Sequence, residues 1–334
     1  MVRGHTLLLA VVAVAVVAAA AQNKPGYRYQ REGNRSDRAG SPRAGLALLG
    51  GGTDLDAAFQ WMCRRAGGGD FLVLRASGTA AYNPYIRKLC PRMNSVATLI
   101  IRSRAAAAAP FVAGRIAEAS AIFISGGDQS HYVNWWTGTP VQRALDAAIA
   151  RGVPIGGTSA GLAVLGEFAY SAQHDRADGP NLTAAAALAN PFDPQVVVVR
   201  HFLRIPAMRG VITDTHFHAR HRLGRLLVFM ARILAAQEAA AIHGIGIDQH
   251  TALLVDGNGH AVVAGTGAVY LLAAAQAPSV CRAGAPLSFA PIAVRRLKAG
   301  QRFDLAAWQG AGARYTLRVR RGIITSTQAN GNIY

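Results

Sequence analysis

The chain has 334 residues, 51% hydrophobic and 16% charged, a balance that supports a sizeable core and excludes disorder over most of its length. Its 35 Lys+Arg against 17 Asp+Glu give a formal charge of +18, which admits an anionic partner. No aromatic-interleaved basic stripe, zinc-finger spacing or helix-turn-helix pattern accompanies that charge, so nucleic acid is not expected as a partner.

At the amino terminus, Arg3, an apolar run over 7–17 and Ala19-Ala20-Ala21 together read as a signal peptide over 1–21. The apolar stretch is shorter than the ~20 residues a spanning helix needs, so export without a stable membrane anchor is expected. Residues 22–45 are polar, basic and rich in Gly, Ser and Pro, and read as a flexible linker. One α/β domain is expected over 46–334, with a β-rich part from about 256.

Within that domain, strands are expected at 46–49, 71–74, 96–101 and 121–124. A glycine turn, Gly50-Gly51-Gly52, leads to a helix over 54–65 capped by Thr53 or Asp54. A second helix over 105–119 is interrupted at Pro110, and a third over 141–150 has Thr139 as its cap and Pro140 in first position. The strand-helix alternation implies a parallel sheet covered on both faces, in which ligands gather beyond the carboxyl ends of the strands. The glycine turn, Ser125-Gly126-Gly127-Asp128-Gln129 and Ser159 all fall at that edge. Residues 171–194 read as an exposed excursion. Strands at 196–199 and 211–213 precede a helix over 222–240. Short strands at 244–247, 252–255, 261–263 and 269–272 follow, with a hairpin at Asp256-Gly257-Asn258-Gly259. Residues 315–321 alternate apolar and polar, as a half-buried strand does.

Two segments carry chemistry. Residues 153–155 form an apolar strand that runs into Gly157-Thr158-Ser159-Ala160-Gly161, after which Leu162, Ala163, Val164 and Leu165 read as a helix. A G-x-S-x-G sequence between strand and helix is the setting of a nucleophile elbow, in which a strained turn lifts the serine hydroxyl into a cleft. The serine needs a base from elsewhere in the chain. The second segment, Asp214-Thr215-His216-Phe217-His218-Ala219-Arg220-His221-Arg222-Leu223-Gly224-Arg225, supplies histidines, and arginines that can hold carboxylates by bidentate hydrogen bonds. No acid or cysteine completes a metal-ligand spacing around His216 and His218, so neither a metal nor another cofactor is expected. Three cysteines, Cys63, Cys90 and Cys281, are too few for a disulfide framework and lack CxxC spacing; an oxidising compartment permits one bridge, of which Cys63 to Cys90 is a candidate.

With Gly126-Gly127-Asp128-Gln129 and Gly244-Ile245-Gly246-Ile247-Asp248-Gln249-His250-Thr251-Ala252, these segments resemble, in order, the serine peptidases that include cyanophycinase and the aspartyl dipeptidases. The resemblance spans roughly residues 46–255. It implies a flavodoxin-like, class I glutamine-amidotransferase-type sheet, mostly parallel, with helices on both faces. It further implies Ser159 as nucleophile and His216 as base. Gly127, Asp128 and Ala160 would form the oxyanion hole, and Gln129, Asp214, Arg220, Arg222 and Arg225 would line the substrate pocket. The implied activity is hydrolysis of poly(Asp-Arg) to β-Asp-Arg dipeptides; the implied partners are a peptide or polymer containing aspartate and arginine and, as an open case, a second copy of the chain. Thr215 stands where the family has Gln. Gln249 stands where the cyanophycinase pattern has a Glu that completes the triad. Asp248, Asp175 and Asp178 are alternative acids. The other readings are an aspartyl dipeptidase and a catalytically weak binding protein that keeps the arginine pocket.

Overall fold

The computed structural model describes residues 26–175 and 181–334, and the expected signal peptide and Asp178 lie outside them. The strands, in chain order, are β1 (Tyr27–Gly33), β2 (Gly45–Leu49), β3 (Asp70–Arg75), β4 (Ser95–Ile101), β5 (Ala121–Ile124), β6 (Ile155–Thr158), β7 (Phe168–Tyr170), β8 (Val198–Arg200) and β9 (Val211–Asp214). They continue as β10 (Ile242–Ile247), β11 (Thr251–Asp256), β12 (His260–Gly265), β13 (Val269–Ala274), β14 (Phe289–Leu297), β15 (Arg302–Asp304), β16 (Gln309–Gly310), β17 (Ala313–Arg320) and β18 (Ile323–Ser326). The helices are α1 (Asp56–Ala66), α2 (Tyr82–Leu89), α3 (Arg104–Ala107), α4 (Pro110–Glu118), α5 (Gln129–Trp136), α6 (Pro140–Ala150), α7 (Ala160–Ala163), α8 (Ala184–Ala189) and α9 (Leu223–Ala235).

The strands form two sheets. The first runs β1-β4-β3-β5-β6-β2-β11-β12-β15-β16, the second β18-β17-β14-β13-β10-β9-β7-β8. In the first, β4, β3, β5, β6 and β2 are mutually parallel. Their sequences are apolar runs such as Ser95–Ile101, buried at every position, as strands covered on both faces must be. The second sheet has a parallel centre, β7, β9 and β10, and an antiparallel carboxyl-terminal part. The α/β class with a β-rich carboxyl-terminal part is as expected, but a single sheet is not what forms. Leaving β6, the chain builds β7 to β10 as a separate layer, and β11 then returns antiparallel to β2.

One core lies between the layers, where Leu46, Leu48 and Leu253 of the first sheet meet Val211, Ile245 and Ile247 of the second. A second core packs α9 against the outer face of β9, β10 and β13, and nearly every residue of α9 is buried. A third packs α1 and α2 on the first sheet. Cys63 and Cys90 form a disulfide that ties α1 to the end of α2.

Three local expectations are corrected. Tyr27–Gly33, expected as linker, pairs antiparallel with β4. Its alternation of Tyr27, Tyr29 and Arg31 was hidden by its polar composition; both tyrosines pack 5.4 Å from the Phe111 ring, and Arg31 reaches Asp70 at 3.0 Å. The helix after the elbow is a single turn, because the chain turns from Val164 toward β7. Neither Thr53 nor Asp54 caps α1; Leu55 occupies that position, and Asp54 instead accepts from the Tyr82 hydroxyl. The other boundaries shift by a few residues, and the helix pair split at Pro110 forms as expected.

Candidate active site

The site lies at the seam between the two sheets. From the first come the ends of β2, β5 and β6; from the second come the ends of β9 and β10. Ser159 has φ 52° and ψ −119°, the strained turn expected of an elbow. Its flanking glycines are sterically required. A Cβ at Gly157 would lie 2.5 Å from the Gly161 carbonyl carbon, and one at Gly161 would lie 2.0 Å from the Ile124 oxygen. The turn is pinned by a bond from the Ser159 amide to the Leu49 carbonyl at 3.2 Å.

Ser159 Oγ lies 2.8 Å from His216 Nε2. His216 sits two residues past β9, buried, also at positive φ. Its amide donates to the Gly50 carbonyl at 2.7 Å. On its far side His216 Nδ1 is 2.7 Å from Gln249 Nε2. Gln249 occupies the turn in which the chain leaves β10 for β11. The nucleophile, base and third-member positions of the resemblance are thus brought into one row.

The alternative acids do other work. Asp248 accepts from the amides of His218 at 2.9 Å and Ala268 at 3.0 Å. Asp175 accepts from the Tyr170 hydroxyl and, at 3.4 Å, from Gln195. Neither acid bonds His216.

Burial first, then the cations of Arg220 and Arg222, push His216 down to about 4. It is therefore a neutral imidazole at neutral pH, as a general base must be, with the arginines opposing its protonation and Asp214 only partly offsetting them. An imidazole that accepts from Gln249 Nε2 at Nδ1 carries its proton on Nε2, facing the serine. Proton abstraction requires the other tautomer. Rotating the amide by 180° supplies it, because Gln249 Oε1 then accepts from Nδ1–H and leaves Nε2 free to accept from Ser159.

On the other side of Ser159 stands the turn after β5. Its Gly126 is close enough that an added Cβ would lie 3.4 Å from Ser159 Cβ. Among the described residues the amides of Gly127, Asp128 and Ala160 donate to no protein acceptor, which leaves them free for a ligand oxygen. An oxyanion hole needs unengaged donors of this kind, and α7, a single turn, adds little of a dipole.

The expected pocket residues divide. Gln129 is half-buried at the start of α5, with its amide 3.4 Å from the Tyr170 carbonyl. Arg220 is exposed, and its charge is felt by His216. Asp214, Arg222 and Arg225 are buried and turned toward one another, which corrects their placement as pocket lining. Arg225 grips Asp214 with Nε at 2.7 Å and Nη2 at 2.6 Å, a bidentate pair. Burial opposes its charge, yet Asp214, with Tyr170 and Asp175, leaves its pKa raised. Arg222 is pushed down to about 10 by burial, partly offset by Asp214, and donates to the Thr215 carbonyl at 3.0 Å. These arginines do grip a carboxylate, but it is the chain's own, because α9 is buried on nearly all sides.

The glycine turn after β2 lies at the expected edge and supports the base. A Cβ on Gly51 would lie 2.4 Å from His216 Cε1, so the imidazole rests directly on that backbone. Three successive glycines opening beyond an apolar strand were the signal for such a close approach. Among the described residues no cluster of three or more His, Cys, Asp or Glu gathers to hold a metal.

The family model described as Peptidase family S51 matches residues 76–263. The chain belongs to peptidase family S51. That family is serine-type, and the matched stretch contains both Ser159 and His216. Among S51 relatives, a cyanophycinase of Synechococcus elongatus is 28% identical over 219 residues, 63% of this chain and 61% of that one. A cyanophycinase of Trichormus variabilis is 30% identical over 220 residues, 63% of this chain and 65% of that one. The chain thus spans somewhat less than two thirds of the length of these relatives. The crystal structure of a peptidase from an acI-B1 Actinobacterium superposes with a TM-score of 0.52 at 20% identity, covering 79% of this chain and 98% of that one, a likeness of fold.

Proposed function

We propose that this S51 protein is an exported serine peptidase of the cyanophycinase kind, hydrolysing poly(Asp-Arg) to β-Asp-Arg dipeptides. The observation that carries the reading is the 2.8 Å approach of Ser159 Oγ to His216 Nε2. His216 takes the hydroxyl proton as Oγ attacks the scissile carbonyl. The free amides of Gly127, Asp128 and Ala160 receive the developing oxyanion. Collapse gives an acyl-serine, with the proton passed to the leaving amine. Water, activated by the same imidazole, then releases the acid. Gln249, turned to accept from Nδ1–H, fixes the productive tautomer without carrying charge. Arg220, exposed beside the base, is the cation available to an aspartyl carboxylate. The cyanophycinase relatives support the substrate, and residues 1–21 support export.

The purified protein is expected to clear a cyanophycin suspension, and Ser159→Ala to abolish clearing. A folded wild type that leaves the polymer intact refutes the substrate; faster cleavage of Asp-X dipeptides redirects it to the dipeptidase. The Gln249 amide nitrogen facing Nδ1 favours a second reading, a catalytically weak protein that binds Asp/Arg peptides. In another protease an amide that fixes the wrong tautomer lowers turnover by about 10⁴. A serine-reactive fluorophosphonate separates the two, since only the hydrolase labels at Ser159.

A further inference from the structure

Asp54 lies in the loop after β2, three residues beyond the glycine that supports the imidazole. It caps no helix and binds no arginine: among the described residues Arg75, whose charge it feels, makes no ion pair with it. The Tyr82 hydroxyl, from α2, donates to its Oδ2. Its other oxygen, Oδ1, is fully buried and, like the buried Thr158 Oγ1, has no hydrogen-bond partner among the described residues. Burial raises the Asp54 pKa and the hydroxyls of Tyr82 and then Thr158 oppose it, yet among the described residues no bond of normal geometry joins Thr158 Oγ1 to Asp54 Oδ1. Thr158 immediately precedes the nucleophile, and its Cγ2 lies 3.9 Å from where a Cβ on Gly126 would stand. It therefore stands beside the oxyanion turn, and its hydroxyl is one of the groups that act on the acid.

A buried acceptor and a buried donor left open are each costly. Thr158 directly precedes Ser159, and a β-branched side chain moves with its backbone, so a shift of the elbow carries the Thr158 hydroxyl with it. We propose that Asp54, clamped by Tyr82, is a positioning residue for the nucleophile elbow, acting through a hydrogen bond from Thr158 that closes as Ser159 reacts. Asp54 touches no substrate. It holds Thr158, and through it the Ser159 backbone and the Gly126-Gly127 turn, in the geometry that the tetrahedral intermediate needs.

This inference rests on Ser159 being a nucleophile, so the readout is the rate of Ser159 labelling by a fluorophosphonate, with thermal unfolding measured in parallel. Thr158→Val and Asp54→Ala are each expected to slow labelling about tenfold, the scale of one hydrogen bond. Asp54→Asn, which keeps one acceptor, is expected to fall between them and the wild type. The double variant Asp54→Ala/Thr158→Val is expected to label no more slowly than either single one, because both remove the same bond. Tyr82→Phe, which deletes only a hydroxyl, serves if the aspartate variants do not fold, and is expected to slow labelling with Thr158 unchanged. Single variants that unfold more easily but label at the wild-type rate, or slowdowns that multiply in the double, overturn the proposal. A wild type that does not label at all removes the nucleophile reading first, and this inference with it.

Discussion

Ser159 and His216 are neighbours held by different physics. The serine, on the first sheet, is placed by steric exclusion: glycines at 157 and 161 let three backbone segments approach more closely than any Cβ allows. The histidine, on the second sheet, is placed by polar contacts: a backbone bond to Gly50, an amide at Nδ1, and the buried Asp214–Arg225 pair beneath its segment. A packed elbow has one geometry. A polar row has several, set by protonation, tautomer and the rotation of an amide. The nucleophile half is thus rigid by construction, and the base half is tunable.

Variants can break each half separately. Ser159→Ala should cost the most, about 10⁶-fold in turnover as in other serine triads, with unchanged circular dichroism. Asp214→Asn attacks the polar half from below. Leaving Arg225 buried without its carboxylate is expected to cost about 3–5 kcal/mol in urea unfolding, while replacing the pair together, Asp214→Leu with Arg225→Met, costs less. Gly51→Ala joins the two modes of support, since its Cβ pushes directly on the imidazole. A displacement of about 1 Å should lower turnover roughly 10²-fold, largely in kcat.

Gln249→Glu sharpens the comparison through pH. The neutral form of His216 is the active base, so the acid limb of kcat/KM is expected near pH 4, where burial and the arginines hold this group, rather than near its ordinary 6.5. A carboxylate at Nδ1 favours the imidazolium and moves that limb upward by about a unit or more. The sign for stability follows from the same shift. The unfolded chain takes up the proton near 6.5 and the folded chain only near 4, so this group withdraws stability as pH falls between them. The smallest shift of the acid limb belongs to Arg220→Ala: removing one exposed cation should raise it by a few tenths of a unit, and less in high salt.

The elbow could be read because its signal is local: an apolar strand, two glycines and a serine lie within a few residues, and the steric reason acts at that range. The residues of the base could be read from the resemblance, and Gln249 was named with them. The arginines could not be assigned from their pattern. Spacing says that Arg222 and Arg225 can reach a carboxylate, but not whether α9 faces solvent or core, and an almost uniformly apolar helix closed them inward onto Asp214. The edge strand at Tyr27–Gly33 was concealed for a related reason, because its tyrosines acquire a buried face only once Phe111 of α4 is beside them.

By itself the sequence determined the alternation of strands and helices, the strained serine and the presence of an amide where an acid was expected. Each follows from short-range sterics or from residue identity. Only the tertiary structure decided that the chain splits into two sheets, that the serine and the imidazole meet across their seam, that Asp248 and Asp175 are occupied elsewhere, and that Asp54 accepts from Tyr82 instead of capping a helix. Those outcomes depend on contacts between segments tens of residues apart. Burial and desolvation there choose one partner among several that residue type alone allows.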